Sequence, residues 1–352
     1  MLIEKPLVVD KFRSFERYLK KNNRQIGTKQ RGLDINLRNA CNLKCEHCFT
    51  MSPIGLGVEH SLNQEIIKSI GDQAHELGIF ELDLQGGELL LNQKYLFETL
   101  KSLGTHRFYV YLTTNGWYMT EEIAQKLREL GVDRVSVSID SMNGDTHDAF
   151  RGKKGAWERA INALKLVKDA GMTPYMNMTV GKYNIDSEDL KLMLEYSKDK
   201  KYTTLINIAT PGGMWSEMDS VCINEEDSNH LIEMRKHYKN MLRNLWDPMD
   251  RNREGVIGCN TINRLYITPK GDVLPCPYVH IKMGNVHESS LKEISNRGFK
   301  IKKFRDHSEK CLAGEDKEFI ANFMAKKGTT IFEPAEIKDL FTAEMLYEDN
   351  VL

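Results

Sequence analysis

Residues 41–48 read CNLKCEHC, a stretch that places three cysteines in one loop at the spacing C-x3-C-x2-C. The loop follows residues 33–37, LDINL, which alternate apolar and polar side chains as a strand does. Three thiolates leave one iron of a [4Fe–4S] cluster without a protein ligand, because such a cluster normally takes four cysteines. A Cys3His zinc site that includes His47 is the alternative, since zinc accepts thiolate and imidazole ligands. Zinc modules pair their ligands on facing turns, so the single loop favours the cluster.

Length and composition limit the function classes. The chain has 352 residues, 41% hydrophobic and 28% charged, enough for one sizeable domain and an appendage. With 49 basic and 50 acidic residues, it has no overall field that would attract nucleic acid or an anionic membrane. We expect a cytoplasmic protein, because no apolar run could span a bilayer and residues 1–5 lack signal-peptide features. In that compartment, seven cysteines predict metal ligands or reactive thiols.

Strand-like and helix-like patterns alternate from residue 33 to residue 210. Predicted strands cover residues 33–37, 80–84, 108–113, 135–139, 175–180 and 204–209. The helix after the cysteine loop is predicted to begin with a capping box formed by Ser61 and Gln64, and Thr120 is predicted to cap a later helix. About six βα units favour an α/β fold with a parallel, partly closed barrel, whose chemistry lies at the carboxyl ends of the strands.

Polar motifs follow the predicted strands. Residues 85–88, QGGE, combine two glycines that let backbone approach a ligand with a carboxylate for a cationic group. Residues 114–116, TNG, follow the third strand, and each of these two motifs by itself is more often a simple turn. The fourth strand ends at residues 138–140, SID, and HDAFRG follows at residues 147–152, where the guanidinium of Arg151 suits a carboxylate. The candidate binding residues from the strand ends are Gly86, Gly87, Glu88, Thr114, Asn115, Ser138, Asp140, Arg151 and Asn177.

A second cysteine set follows the barrel pattern. Residues 224–244 predict a connecting helix, and residues 265–268 and 272–276 predict two strands joined by a turn at 269–271. This hairpin brings Cys259 and Cys276 together. Only Cys311 remains after them.

The cysteine loop and the ordered strand-end motifs resemble the radical SAM superfamily, and the second cysteine set resembles its SPASM/Twitch subgroup. The resemblance implies a partial (β/α)6 TIM-like barrel with a small C-terminal Twitch-type hairpin and helix extension. It implies that S-adenosylmethionine (SAM) chelates the open iron of a [4Fe–4S] cluster on Cys41, Cys45 and Cys48. The implied SAM contacts are His47 near the adenine, Gly86, Gly87 and Glu88 at the amino group, Thr114, Asn115, Ser138 and Asp140 near the ribose, and Arg151 near the methionine carboxylate. The role of Asn177 stays open.

The extension departs from the full SPASM pattern, which holds two auxiliary clusters. Cys259, Cys276 and Cys311 suffice for one auxiliary [4Fe–4S] cluster, with its fourth position left to substrate, water, Asp316 or Cys222; a structural zinc is the alternative. We therefore expect an N-terminal extension (1–32), a barrel (33–210), a loop and connecting helix (211–257), an auxiliary-cluster domain (258–330) and a C-terminal tail (331–352).

The resemblance implies a radical SAM oxidoreductase or epimerase. An external one-electron donor such as flavodoxin or ferredoxin drives cleavage of SAM, and the 5′-deoxyadenosyl radical abstracts hydrogen from a substrate carbon. Only residues 1–32 precede the first strand, and their pattern predicts a short amphipathic helix that covers the barrel. We therefore expect a small polar substrate, such as a sugar, an aminocyclitol or an amino-acid-like molecule. A ribosomal peptide substrate is one alternative, and a non-catalytic electron carrier is another, although a carrier needs no SAM-binding motifs.

Cys222 lies in the loop after the sixth predicted strand, on the face where chemistry is expected. Three interpretations compete: an inert buried thiol, the fourth ligand of the auxiliary cluster, and a catalytic hydrogen donor. Donation by the thiol would make the enzyme an epimerase. Without it, dehydrogenation or cross-linking is expected.

Overall fold

A ten-stranded sheet organises the computed structural model, which describes residues 5–52, 60–324 and 329–352. Its central strands are β1 Gly32–Asn36, β2 Glu81–Gln85, β3 Tyr109–Thr114, β4 Arg134–Ser138, β5 Thr173–Val180 and β6 Thr203–Ile208. They pair in chain order and all are parallel. The six predicted strands are thus confirmed, and each lies within two residues of its predicted start.

Helices alternate with these strands and cover the outer face of the sheet. In the described residues, the helices of at least eight residues are α1 Pro6–Lys21, α2 Gln64–Glu76, α3 Gln93–Leu103, α4 Glu121–Glu129, α5 Gly144–Arg151, α6 Ala156–Asp169, α7 Glu188–Lys200, α8 Glu225–His237 and α9 Leu291–Lys300. The predicted cap at Thr120 is confirmed, because its side chain accepts a hydrogen bond from Ile123 N (3.2 Å). The predicted capping box at Ser61 is wrong. Asn63 caps α2 by accepting from Ile66 N (2.9 Å), so the helix begins at Gln64 itself.

The predicted C-terminal hairpin continues the barrel sheet. Its strands are β8 Arg264–Ile267 and β9 Asp272–Leu274, which pair antiparallel. Strand β8 also pairs parallel with β1, on the edge opposite β2. The sheet is completed by β7 Met241–Leu242 beside β6 and β11 Gly284–Asn285 beside β9, while β10 Ile281–Lys282 pairs with β12 Ala335–Glu336 in a separate two-stranded sheet.

Helix α1 closes the amino-terminal end of the barrel, as predicted. The rings of Phe12 and Phe15 pack on Phe80 with centroid distances of 5.9 and 5.3 Å. The ammonium group of Lys5 donates to the carboxylate of Asp133 (2.5 Å), just before β4 begins. The opposite end of the barrel is therefore the one that carries the polar motifs.

In the parts of the chain that the structure describes, no helix combines the length and apolar character needed to cross a bilayer.

Candidate active site between the two cysteine sets

A cavity of about 250 Å³ is lined by residues at the carboxyl ends of the parallel strands and by the C-terminal extension. The cysteines that line it are Cys41, Cys45, Cys48, Cys259, Cys276 and Cys311. The first cysteine set follows β1, and the second flanks the hairpin that begins with β8. The parallel pairing of β8 with β1 therefore brings the two sets to one cavity. Sequence reasoning predicted both sets but not that they face each other.

Each sulfur of the first set has a polar partner. These partners are Leu43 N with Cys41 (3.4 Å), Arg151 Nη1 with Cys45 (3.6 Å) and Thr50 Oγ1 with Cys48 (3.2 Å). Burial raises the pKa of the Cys41 thiol to about 12 and also raises that of Cys45. Hydrogen bonds to sulfur stabilise the thiolates that hold an iron–sulfur cluster, and a bound metal replaces the thiol proton. The donor set therefore fits a cluster.

The two glycines of the QGGE motif bring the loop after β2 against the cysteine loop. Gly87 N donates to Arg38 O (2.7 Å) and Glu88 N donates to Ala40 O (2.9 Å). A Cβ atom at Gly87 would overlap the carbonyl oxygen of Ala40, and one at Gly86 would lie 2.7 Å from Asn36 Oδ1. Both glycines also line the cavity. The close approach predicted for these glycines is therefore made to the chain's own backbone.

Glu88 is buried and does not line the cavity. Its carboxylate accepts hydrogen bonds from Leu90 N (3.0 Å), Thr114 Oγ1 (2.8 Å) and Asn115 N (2.8 Å). Burial raises its pKa, and these donors act against that rise. Thr114 and Asn115 do line the cavity, and Asn115 Nδ2 donates to Asn42 Oδ1 in the cysteine loop (2.9 Å). Glu88 thus holds the end of β3 in place, and its contact with SAM stays a prediction.

Arg151 lines the cavity from the end of α5, a short helix that the sequence patterns did not predict. Its guanidinium pairs with Asp140 (Nη2 to Oδ2, 2.5 Å). Although burial acts to raise the pKa of Asp140, the adjacent Arg151 outweighs it and the pKa lies below its usual value. Asp140 also accepts from Thr179 N (3.2 Å) and does not line the cavity. Its carboxylate thus orients Arg151, and the contact of Asp140 with the ribose stays a prediction.

His47, Ser138 and Asn177 all line the cavity, and their contacts with SAM stay predictions. The His47 ring stacks on Phe150 with a centroid distance of 4.7 Å, and burial lowers its pKa to about 4, so the ring is neutral. Asn177 Oδ1 accepts a hydrogen bond from Asn207 Nδ2 (2.5 Å).

Among the residues that the structure describes, no three His, Cys, Asp or Glu side chains form a group that could hold a single metal ion.

The second cysteine set is half-buried and lines the same cavity. A hydrogen bond with Cys311 is the main cause that lowers the pKa of Cys259, to about 6; Thr261 Oγ1 lies 3.1 Å from the same sulfur. Burial raises the pKa of Cys276 to about 12. Cys311 N donates to Glu315 (2.7 Å), whose carboxylate pairs with Arg243. The Thr261 hydroxyl beside the Cys259 sulfur can donate to it when it is a cluster thiolate, and a bound metal would replace the Cys311 proton.

Neither protein group suggested as a fourth ligand lines the cavity. Asp316 pairs with Lys303 (2.9 Å) and accepts from Phe319 N (2.9 Å). Cys222 packs near Trp215 in a small apolar cluster. Burial raises the pKa of the Cys222 thiol to about 11, which keeps it protonated.

Sequence reasoning missed the polar floor of the cavity. Asp34 on β1, Asp83 on β2, Tyr111 on β3, Arg134 on β4 and Arg264 on β8 all line it. The available signal was a charged residue between two apolar neighbours, as in LDI and LDL. Successive residues of a strand face opposite sides, so the apolar neighbours face the helices and the charged residue faces the barrel interior. These strands were predicted from their apolar positions alone.

Comparisons with known proteins agree with this arrangement. The radical SAM superfamily model matches residues 35–196, and the model of the iron–sulfur cluster-binding SPASM domain matches residues 259–314. The AdoMet-dependent heme synthase of Methanosarcina barkeri is 30% identical over 317 residues, which cover 82% of this chain and 90% of that protein. The antilisterial bacteriocin subtilosin biosynthesis protein AlbA of Bacillus subtilis is 26% identical, over 74% of this chain and 58% of that protein. The structure of native anSMEcpe with bound AdoMet and Cp18Cys peptide has a similar fold, with a TM-score of 0.61 at 18% identity; the match covers 86% of this chain and 92% of that chain.

Proposed function

Since the chain belongs to the radical SAM superfamily and carries a SPASM iron–sulfur domain, we propose that it acts on a small polar substrate bound between its two cysteine sets. Membership implies a [4Fe–4S] cluster, SAM and auxiliary iron–sulfur binding. When bound, the cluster and SAM supply an electron and a 5′-deoxyadenosyl radical that takes hydrogen from a substrate carbon. The observation that carries the proposal is that all six cysteines line one cavity.

The proposed cluster ligands are Cys41, Cys45 and Cys48 in the barrel (33–210), and Cys259, Cys276 and Cys311 in the auxiliary domain (258–330). The residues proposed to hold SAM are His47, Gly86, Gly87, Thr114, Asn115, Ser138, Arg151 and Asn177, which all line the cavity. Glu88 and Asp140 act as positioning residues behind them. Asp140 orients the guanidinium of Arg151, and Glu88 fixes the end of β3.

The location of Cys222 supports an oxidative outcome. A hydrogen donor must reach the substrate radical, yet this thiol does not line the cavity. Cys259, Cys276 and Cys311 would hold an auxiliary cluster that supplies a one-electron acceptor for the substrate radical, while the proton that the radical loses would leave to water. The fourth position of that cluster is left to water or substrate. An external one-electron donor completes the proposed reaction.

A peptide is the second candidate substrate. It is favoured by the relative named for subtilosin biosynthesis and by the fold shared with anSMEcpe, whose structure holds a peptide. A peptide would enter by a side chain or terminus, because the cavity itself is only about 250 Å³.

Anaerobic reconstitution followed by iron analysis and a SAM cleavage assay with dithionite tests the proposal. Wild type should bind about two clusters and form 5′-deoxyadenosine. The variant with Cys41, Cys45 and Cys48 all changed to Ala should keep one cluster and form none. Cys222→Ala is the matched cysteine control and should keep both clusters. Zinc in place of iron, or a triple variant that still cleaves SAM, would contradict the proposal.

A further inference from the structure

Four strands contribute one in-register row of side chains to the floor of the cavity. Asp34 pairs in register with Asp83, Asp83 with Tyr111, and Tyr111 with Arg134. All four residues line the cavity. Because adjacent strands lie about 4.8 Å apart, Asp83 and Arg134 flank Tyr111 with their backbones roughly 10 Å apart.

Arg134 differs from the other arginines that line the cavity. Arg151 pairs with Asp140, Arg243 with Glu315, and Arg264 with both Asp34 (2.6 Å) and Glu81 (2.8 Å). Arg134 makes no hydrogen bond or ion pair with any residue that the structure describes, and its Nε is buried.

Two aromatic rings hold the Arg134 guanidinium instead. It lies 3.6 Å from the ring centroid of Tyr111 and 4.2 Å from that of Tyr175. Stacking on the faces of a guanidinium leaves the N–H groups at its edge free to donate. The Nε of Arg134 is buried without a partner, and its outer N–H groups have no acceptor in the described residues, so an anion that accepts from them would stabilise the cation.

Asp83 is the second unpartnered group in the row. Its Oδ1 is buried and has no hydrogen-bond partner in the described parts of the chain. Burial, followed by the neighbouring Asp34, raises the pKa of Asp83 well above its usual value. When it carries its proton, the Asp83 carboxyl group can donate a hydrogen bond to an acceptor in the cavity.

The ion pairs of the floor leave Arg134 out. Arg264 and Arg31 bind the carboxylates of Asp34 and Glu81 directly, whereas Arg134 acts on Asp34, Glu81 and Asp83 only through space. An anionic group that enters the cavity would give the N–H groups of Arg134 a direct acceptor.

We propose that Arg134 and Asp83 together bind a carboxylate group of the substrate at the floor of the cavity. A planar carboxylate accepts two parallel hydrogen bonds from a guanidinium and a third from a neutral carboxyl group. The inference rests on the proposed function and narrows its substrate class. Amino-acid-like molecules and other carboxylates are favoured over uncharged sugars and aminocyclitols, and the reacting carbon lies between the floor and the cysteines.

Ligand-observed NMR on the anaerobic holoprotein, saturated with SAM, tests this site with propionate as the probe and propionamide as its neutral counterpart. Wild type should bind propionate at least about tenfold more tightly than propionamide, since charge-assisted hydrogen bonds distinguish them. Arg134→Gln should abolish that preference. The matched control is Arg159→Gln, which changes an exposed arginine that lies over Trp117 outside the cavity. This variant should bind propionate more tightly than propionamide, as the wild type does.

A wild-type protein with no preference for propionate would overturn the inference, as would an Arg134→Gln variant with unchanged propionate affinity. If Arg134→Gln does not fold, Arg134→Lys takes its place. Lysine keeps the charge but lacks the planar fork, so wild-type affinity in that variant would also overturn the inference.

Dithionite-driven 5′-deoxyadenosine formation in the same samples separates the two proposals. Propionate selectivity without SAM cleavage would contradict the proposed function and support the carboxylate site. SAM cleavage without propionate selectivity would contradict the carboxylate site alone.

Discussion

Replacing Asp140 by Asn removes the carboxylate that orients the guanidinium of Arg151. Asp140 and Arg151 are both nearly inaccessible to solvent, and their charged atoms lie 2.5 Å apart. The substitution leaves a buried guanidinium without its counterion, a change that typically costs about 3–5 kcal/mol. The carbonyl oxygen of the asparagine side chain can still accept a hydrogen bond from Arg151. Its NH2 group then faces Thr179 N, and no hydrogen bond forms there because both groups are donors.

Urea unfolding of the anaerobic protein measures this loss. At a slope of roughly 3 kcal/mol/M, a loss of about 3 kcal/mol lowers the midpoint by about 1 M. Asp349→Asn is the matched control, because it removes the same carboxylate from an exposed pair with Arg305 (2.6 Å). Solvent screens that pair, so its removal should leave the midpoint nearly unchanged.

The same pair predicts a pH dependence. The pKa of Asp140 is lower in the folded protein than in the unfolded chain. Its contribution to the free energy of unfolding is therefore fully present above about pH 4. It is lost as pH falls through the lower, folded-state pKa. The difference in urea midpoint between wild type and Asp140→Asn should therefore shrink only at acidic pH. Equal midpoints for Asp140→Asn and Asp349→Asn at pH 7 would refute the reasoning.

Three further predictions concern the loops around the cavity. Gly87→Ala should lower iron content per chain after reconstitution, because the new Cβ would displace the backbone at Ala40. Gly144→Ala is the control, because Gly144 lies in helix α5 and a Cβ there would meet no atom closer than 3.5 Å. Glu88→Ala should weaken SAM binding by about tenfold or more in equilibrium dialysis with iron content unchanged, since the two hydrogen bonds from Thr114 and Asn115 that position the end of β3 are lost. Unchanged SAM affinity would show that this positioning has no effect. Cys222→Ala should leave iron content and the substrate product unchanged in mass spectrometry, and a variant that cleaves SAM but yields no product would restore the hydrogen-donor hypothesis.

The fold was predictable because its signals are local. Alternation at residues 80–84 and 108–113 marks strands that the structure contains, and Thr120 caps the helix that it was expected to cap. Cap positions are less certain when several polar residues stand together, which explains why Asn63 rather than Ser61 begins α2. The cysteine loop was also recognisable, since ligand spacing within a loop is written in consecutive residues.

The sequence by itself determined the barrel units, the two cysteine sets and the polar motifs at the strand ends, because strand alternation, helix caps and ligand spacing depend on neighbours in the chain. Tertiary structure alone decided which of these groups face one another. Pairing of β8 with β1 brings Cys259 to the cavity of Cys41, whereas the fold of the loop after β6 leaves Cys222 outside it. The row from Asp34 to Arg134 likewise exists only through strand register, since charges about a hundred residues apart interact once the sheet removes them from water.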